Sequence, residues 1–170
     1  MINVTIHSAG YEQGNSVINN IQFHIQSKEI VGLIGGNGAG KSTTIQTILQ
    51  TIPFFEGEIN IPTYGYVPER PIIYTYYTLR EHIHFLIELI GEDLWDNAIE
   101  LCKLFRLHDH LDEYPTSFSK GMQQKVMLIL AFTPNYSFYI LDEPFMGLDP
   151  QAIRRLIILL KNVKKLGQRF

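Results

Sequence analysis

The eight residues from Gly35 to Ser42 have the types and the spacing needed to hold a phosphate chain. They read Gly-Gly-Asn-Gly-Ala-Gly-Lys-Ser and match the pattern G-x-x-x-x-G-K-[ST]. Glycines here let the backbone wrap round a triphosphate with its amides pointing inward. Lys41 would reach the β- and γ-phosphates, and the Ser42 hydroxyl would bind Mg²⁺. The preceding apolar run, residues 30–34, predicts a strand, so we expect a strand, a phosphate loop and a helix in succession.

A pair of carboxylates follows a second apolar segment. Residues 136–141 predict a buried strand, and Asp142 and Glu143 come directly after it. In a parallel α/β sheet, the groups that face a ligand stand at this end of the strands. Asp142 suits the Mg²⁺ shell, and Glu143 is placed to polarise an attacking water as a general base. Together with the phosphate loop, the pair predicts a hydrolytic site for a nucleoside triphosphate.

A third candidate lies between these two, at the start of an apolar helix. Ser119 has the side chain of a helix N-cap, and the first amides of that helix would be open to an anion. Gly121 allows close approach to the helix start. On its own this pattern is an ordinary capped helix.

The remaining elements follow from apolar spacing. Alternation in residues 2–7 and 21–26 predicts half-buried antiparallel strands with His7 and His24 on their polar faces, and residues 57–61 and 64–67 predict two further short strands. Helices are predicted over 79–90, 93–105 and 120–132, the first opened by a capping box. Asp149 and Pro150 open a last helix that Gly167 can end. We expect three parts: strands and phosphate loop in 1–70, a helical subdomain in 71–134, and the rest of the core in 135–170.

Composition restricts the function classes. The chain has 170 residues, 45% of them hydrophobic and 18% charged, with a net charge of -3. A pI near 6.0 offers no broad basic face, so no nucleic-acid partner is expected. The longest uncharged run is too short to span a bilayer, and the first residues do not form a signal peptide, which predicts a cytoplasmic chain. The single cysteine, Cys102, is predicted to be a small buried core residue.

The order of the motifs indicates a family. The phosphate loop is followed by Phe118-Ser-Lys-Gly-Met122, then by Leu-Asp-Glu-Pro at 141–144 and Gly-Leu-Asp at 147–149. In this order the chain resembles the nucleotide-binding subunits of ABC transporters. The amino-acid sequence of residues 118–125 and 140–150 is most similar to that of the Ecs-type ATPase subunit of Gram-positive bacteria. The resemblance implies an α/β P-loop NTPase fold: a RecA-like ABC ATPase core with N-terminal antiparallel strands and an inserted α-helical subdomain.

The resemblance also implies roles for individual residues. Tyr11 would stack on adenine, Ser119 and Gly121 would hold the γ-phosphate of the opposite subunit, and Asp149 would lie at the dimer interface. Glu69 stands where the family usually has a glutamine; its carboxylate can bind Mg²⁺-linked water but cannot donate an amide hydrogen. Met122 replaces the glutamine of the usual signature, and Lys120 adds a charge near a phosphate. The cofactors are ATP and Mg²⁺, with nucleotide contacts expected from Gly35, Asn37, Gly38, Ala39, Gly40, Lys41, Ser42 and Thr43.

The partners implied are a head-to-tail homodimer, or a paired ATPase subunit, and a separate transmembrane permease at the inner face of the cell membrane. A GTPase is disfavoured because residues 162–165 fail the Asn-Lys-x-Asp guanine motif. A soluble ABC ATPase that acts away from membranes stays open. A truncated fragment that at most binds nucleotide also stays open, because no histidine follows His110. For either reading we expect the C-terminal core strands to be missing, so that the chain is an ATPase whose 170 residues alone hydrolyse ATP weakly or not at all.

Overall fold

Apolar residues in alternation at the start of the chain form the middle strand of an antiparallel sheet. The computed structural model describes the backbone of residues 2–166 and the side chains of residues 2–163. Strand β1 (Ile2–Gly10) pairs with β2 (Ile18–Ile25) on one side and with β3 (Phe54–Asn60) on the other. The buried side chains of β1 alternate along the strand, and His7 and His24 are exposed, as predicted. This sheet belongs to the first of two units, Met1–Thr63.

Helix α1 (Lys41–Ile48) follows the phosphate loop in the same unit, as predicted. The predicted strand over residues 30–34 is wrong: these residues adopt no regular element. Their apolar side chains are exposed, and Ile34 is exposed to 95%. A strand exists only through ladder hydrogen bonds to a neighbour, and no strand within residues 2–166 pairs with this segment.

In its described residues, the second unit, Tyr64–Phe170, combines a short parallel strand pair with four α-helices and two short 3-10 helices, His108–His110 and Pro115–Ser117. Strand β4 (Tyr64–Val67) pairs in parallel with β5 (Phe138–Leu141). The helices are α2 (Leu79–Ile90), α3 (Trp95–Phe105), α4 (Lys120–Phe132) and α5 (Pro150–Leu166). Helices α2 and α4 have the bounds that the apolar spacing predicts. The predicted end of the last helix at Gly167 lies outside the described residues, and the division at residues 70 and 134 stays a prediction.

One apolar core holds the second unit together. It is formed by side chains from all four helices and from β4, among them Val67, Leu79, Phe105, Leu128 and Leu156, all nearly or fully buried. Cys102 belongs to this core as predicted, and burial raises the pKa of its thiol to about 12. The thiol therefore stays protonated and unreactive at neutral pH. Across residues 2–166, no helix combines the length and the apolar character that crossing a membrane requires.

Candidate active site

The phosphate loop owes its conformation to glycines at two positions. Gly38 and Gly40 have φ angles of 79° and 84°, in the left-handed region that side chains with a Cβ rarely adopt. A Cβ on Gly40 would also lie 2.5 Å from Cγ2 of Ile18, a β2 side chain. The amide of Ala39 donates to the carbonyl oxygen of Gly36 at 3.2 Å, which closes a turn inside the loop. Gly40 is thus required both by backbone torsion and by packing against β2, and Gly38 by backbone torsion alone.

Lys41, the first residue of α1, folds back over the loop. Its ammonium group donates to the carbonyl oxygens of Gly35 at 2.9 Å and of Gly36 at 3.1 Å. These are neutral acceptors, and hydrogen bonds from a cation to a charged oxygen are stronger. A phosphate oxygen would therefore compete well for the Lys41 ammonium. Ser42 lies exposed in the first turn of α1, where the helix amides have no intrahelical partner.

Tyr11 lies against the same helix. Its hydroxyl donates to Oε1 of Gln46 at 2.8 Å and lies 3.5 Å from Oγ1 of Thr43. The side chain is 49% exposed, so part of the ring stays open to solvent. The structure thus brings Tyr11 and Thr43 together, two of the residues predicted to contact nucleotide. Sequence reasoning missed Gln46, although it stands four residues after Ser42 and so on the same side of α1.

The predicted carboxylates belong to the second unit and follow neighbouring strands. Val67 pairs with Leu141, so Glu69 and Asp142 come just after the same end of β4 and β5. The Asp142 amide donates to the Val67 carbonyl at 2.9 Å, which extends the ladder by one bond. The pKa of Tyr66 is raised first by burial and then by the negative charges of Asp142 and Glu69. Both carboxylates therefore lie near one tyrosine at this edge.

Glu143 is exposed and has a φ angle of 47°. A left-handed conformation is uncommon for a residue other than glycine and is frequent at functional sites. Its carbonyl accepts a hydrogen bond from the Met146 amide at 3.0 Å, so the strand turns sharply at this residue. The turn leaves the Glu143 side chain accessible to solvent, as a general base requires.

The donor chemistry at this edge fits Mg²⁺. This ion is usually held by one or two carboxylates, with waters and substrate phosphates completing its shell. Glu69 and Asp142 supply such oxygens after the same end of β4 and β5. Within residues 2–166, no group of three or more His, Cys, Asp or Glu side chains could hold a metal without other ligands. A metal bound together with a phosphate is therefore the arrangement that these residues suit.

The signature helix, α4, begins as its N-cap predicts. The Ser119 hydroxyl accepts from the Met122 amide at 3.3 Å. A Cβ on Gly121 would lie 2.3 Å from the Gly147 carbonyl oxygen, so only glycine fits at this point. Met122 packs against the apolar core, which suits its lack of a polar end. Lys120 is exposed.

Asp149 joins two elements of this unit. Its Oδ1 accepts from the Ala152 amide at 2.8 Å and caps α5, as predicted, while its Oδ2 accepts from Nζ of Lys125 on α4 at 2.8 Å. The Lys125 bond first, and the Ala152 amide second, lower the Asp149 pKa to about 2. Sequence reasoning missed Lys125, because no local spacing relates it to a residue 24 positions away.

Comparison with known proteins agrees with this geometry. The family model described as ABC transporter matches residues 18–146. Two Bacillus subtilis proteins are similar over 98% of the chain: the uncharacterised ABC transporter ATP-binding protein YthP, 40% identical over 73% of its length, and the ABC-type transporter ATP-binding protein EcsA, 39% identical over 74% of its length. A solved ATP-binding subunit of an ABC transporter superposes with a TM-score of 0.90 at 37% identity, over 96% of this chain and 75% of that one. The chain therefore belongs to the ABC transporter family, as an ATP-binding subunit of the ATP-hydrolysing kind.

Proposed function

We propose that this chain binds ATP with Mg²⁺, pairs with a second ATPase subunit and hydrolyses the nucleotide to drive transport through a separate membrane protein. The observation that carries the proposal is the phosphate loop, with two left-handed glycines and the Lys41 ammonium held over its carbonyls. On binding, Lys41 would exchange these carbonyls for β- and γ-phosphate oxygens. The exchange stabilises the bound nucleotide because the new acceptors are charged.

Glu143 is the residue proposed to act as the general base in hydrolysis. Its exposed carboxylate would accept a proton from the attacking water, and such general-base assistance typically contributes about 10²- to 10⁴-fold in rate. Mg²⁺, when bound, would offset the charge of the phosphate oxygens. Asp142, Glu69 and Ser42 are the residues proposed to hold it. The half-exposed Tyr11 ring is proposed to stack on adenine beside α1.

A second subunit is proposed because the signature residues Ser119 and Gly121 lie at a helix start whose first amides could face an anion. Ser119 is exposed, and the first amides of the 13-residue helix α4 follow it. In the family such residues close on the nucleotide of the opposite subunit, which gives a head-to-tail pair. A homodimer is the simplest form of the pair, and a related ATPase subunit is the alternative.

An exposed aromatic patch supports a membrane partner. Tyr74 and Tyr77 each pack edge to face with Phe85 and are tilted against each other, with ring centroids 5.6–5.9 Å apart. Tyr76 beside them is 86% exposed, and Leu89 on α2 is 74% exposed. Large apolar side chains left in water mark a docking surface, whereas core residues of the helical subdomain would be covered. We propose that this patch receives an apolar helix of a permease, which would place the chain at the cytoplasmic face of the membrane.

A thermal melt with and without MgATP tests nucleotide binding. A ligand that binds only the folded state adds RT ln(1 + [L]/Kd) to its stability, about 2.7 kcal/mol at 100 times Kd. We expect MgATP to raise the melting temperature of the wild-type chain and to have little effect on Lys41→Ala. Lys103→Ala is the matched control, because Lys103 pairs with Glu100 on the exposed side of α3. If MgATP does not change the melting temperature of the wild-type chain, the proposal is refuted.

A further inference from the structure

Helix α4 and the loop that precedes α5 are joined by two separate contacts. The first is steric: the backbone of Gly121 meets the Gly147 carbonyl, where a Cβ would lie at 2.3 Å. The second is ionic: Nζ of Lys125 lies 2.8 Å from Oδ2 of Asp149. Gly121 and Lys125 are four residues apart, so both contacts lie on one side of α4. Two contacts one helical turn apart fix the orientation of the loop relative to α4 as well as the distance between them.

Asp149 is placed to transmit this constraint. One carboxylate oxygen caps α5 through the Ala152 amide while the other accepts from Lys125. Arg106 and Arg155 line a surface cavity together with Lys125 and Asp149, yet Lys125 is the cation that lowers the Asp149 pKa. The Lys125 side chain is only 13% exposed, so its stem is packed and its ammonium has little freedom. The ion pair is therefore a specific joint between α4 and α5.

We propose that Lys125 is a positioning residue that holds the loop 145–149 and the N-terminus of α4 together as one rigid surface. The proposal rests on the proposed function, in which Ser119 and Gly121 reach the nucleotide of a second subunit. If both segments face that subunit, their relative placement decides whether the composite site closes. Lys125 would act on catalysis through Asp149 and Gly121, without touching nucleotide.

Amide hydrogen exchange on the whole chain tests the joint without requiring turnover. The reporters are the amides of Met122 and Gln123 in α4, which bond to Ser119, and those of Met146 and Leu148 in the loop, which bond to Glu143 and Phe145. In Lys125→Met we expect the exchange rates of both pairs of amides to rise together by about threefold or more. In the wild-type chain, opening of either segment must break the ion pair, and without that pair the free-energy cost of opening is lower. Lys125→Arg should restore the wild-type rates. Lys103→Met removes an exposed ion pair of the same 2.8 Å length within α3 and should change neither segment.

A double-mutant cycle separates positioning from a general loss of stability. Asp149→Asn keeps an oxygen to cap α5 but removes the charge that pairs with Lys125. Each single variant should have the same effect, and the double variant should add nothing further, because either change breaks the one joint. Additive effects, or faster exchange in the loop without faster exchange in α4, would overturn the proposal.

Kinetics provide the second readout in any preparation that hydrolyses ATP. Lys125→Met should lower kcat severalfold, leave the KM for ATP within about twofold, and keep the MgATP-induced melting shift, because the nucleotide's own loop is untouched. Unchanged kcat would overturn the positioning role. If the wild-type chain shows no MgATP-induced shift, the proposed function fails, while the exchange result still decides whether the joint exists.

Discussion

At the scale of single residues, the site combines glycines that packing requires with one residue, Glu69, that differs from the usual family pattern. Gly40 and Gly121 leave no room for a side chain, so these positions follow from packing. Glu69 differs, because a carboxylate replaces the amide that the family usually has there. It contributes negative charge beside Tyr66, together with Asp142. The edge that follows β4 and β5 is therefore more acidic than the family pattern implies, which favours a bound cation.

The Glu143→Gln substitution tests the proposed general base. The amide cannot accept a proton at neutral pH, so kcat for ATP hydrolysis should fall by about 10²- to 10⁴-fold. The MgATP-induced rise in melting temperature should persist, because Lys41 and the phosphate loop are unchanged. Glu88→Gln on the exposed side of α2 is the control. Hydrolysis that survives at its full rate in Glu143→Gln would show that another group activates the water.

At the scale of elements, helix α2 shows how a local motif supports the exposed aromatic patch. Glu81 completes the predicted capping box by accepting from the Thr78 amide at 2.7 Å, and its own amide donates to the Thr78 hydroxyl at 3.3 Å. The Thr78 amide first, and the Thr78 hydroxyl second, lower the pKa of Glu81 by donating to its carboxylate. One turn after Thr78, the buried His82 donates a hydrogen bond from Nδ1 to the Thr78 carbonyl and accepts one from the Tyr74 amide at Nε2. The cap and His82 together fix the aromatic patch to the start of α2.

The Thr78→Ala substitution tests the capping box. Loss of the hydroxyl removes an acceptor from the first turn of α2, and the free energy of unfolding should fall by about 1 kcal/mol. Chemical denaturation measures this change. Thr75→Ala is the matched control, because Thr75 is exposed three residues earlier and caps no helix. Equal stability losses in the two variants would show that the cap contributes nothing of its own.

At the scale of the whole molecule, each of the two units has its own apolar contacts. The core of the second unit is built from residues between Val67 and Val163, and both of its strands pair with each other. The first unit contains the three-stranded sheet, the phosphate loop and the exposed apolar segment 30–34. The phosphate loop and the signature residues Ser119 and Gly121 therefore belong to different units of one chain.

This division predicts that a fragment of residues 64–170 folds without the first unit. Its buried side chains come from the fragment itself, so it should show helical circular dichroism and a cooperative thermal transition. MgATP should not shift that transition, because the fragment lacks Lys41 and its loop. A broad, non-cooperative transition would contradict the prediction and show that the first unit is needed for folding.

The sequence by itself determined the local features of this protein and, through the order of its motifs, its family. Helices α2 and α4 follow from the 3.6-residue spacing of apolar residues and from N-caps whose hydrogen-bond partner lies three residues further on. The phosphate loop depends on glycines close together in the sequence. Only the tertiary structure decided contacts between distant residues, such as Tyr11 with Gln46 and Lys125 with Asp149. It also decided against the strand over residues 30–34. Apolar residues create the tendency to form a strand, but a strand needs hydrogen-bonding partners, and the path of the rest of the chain determines where those partners lie.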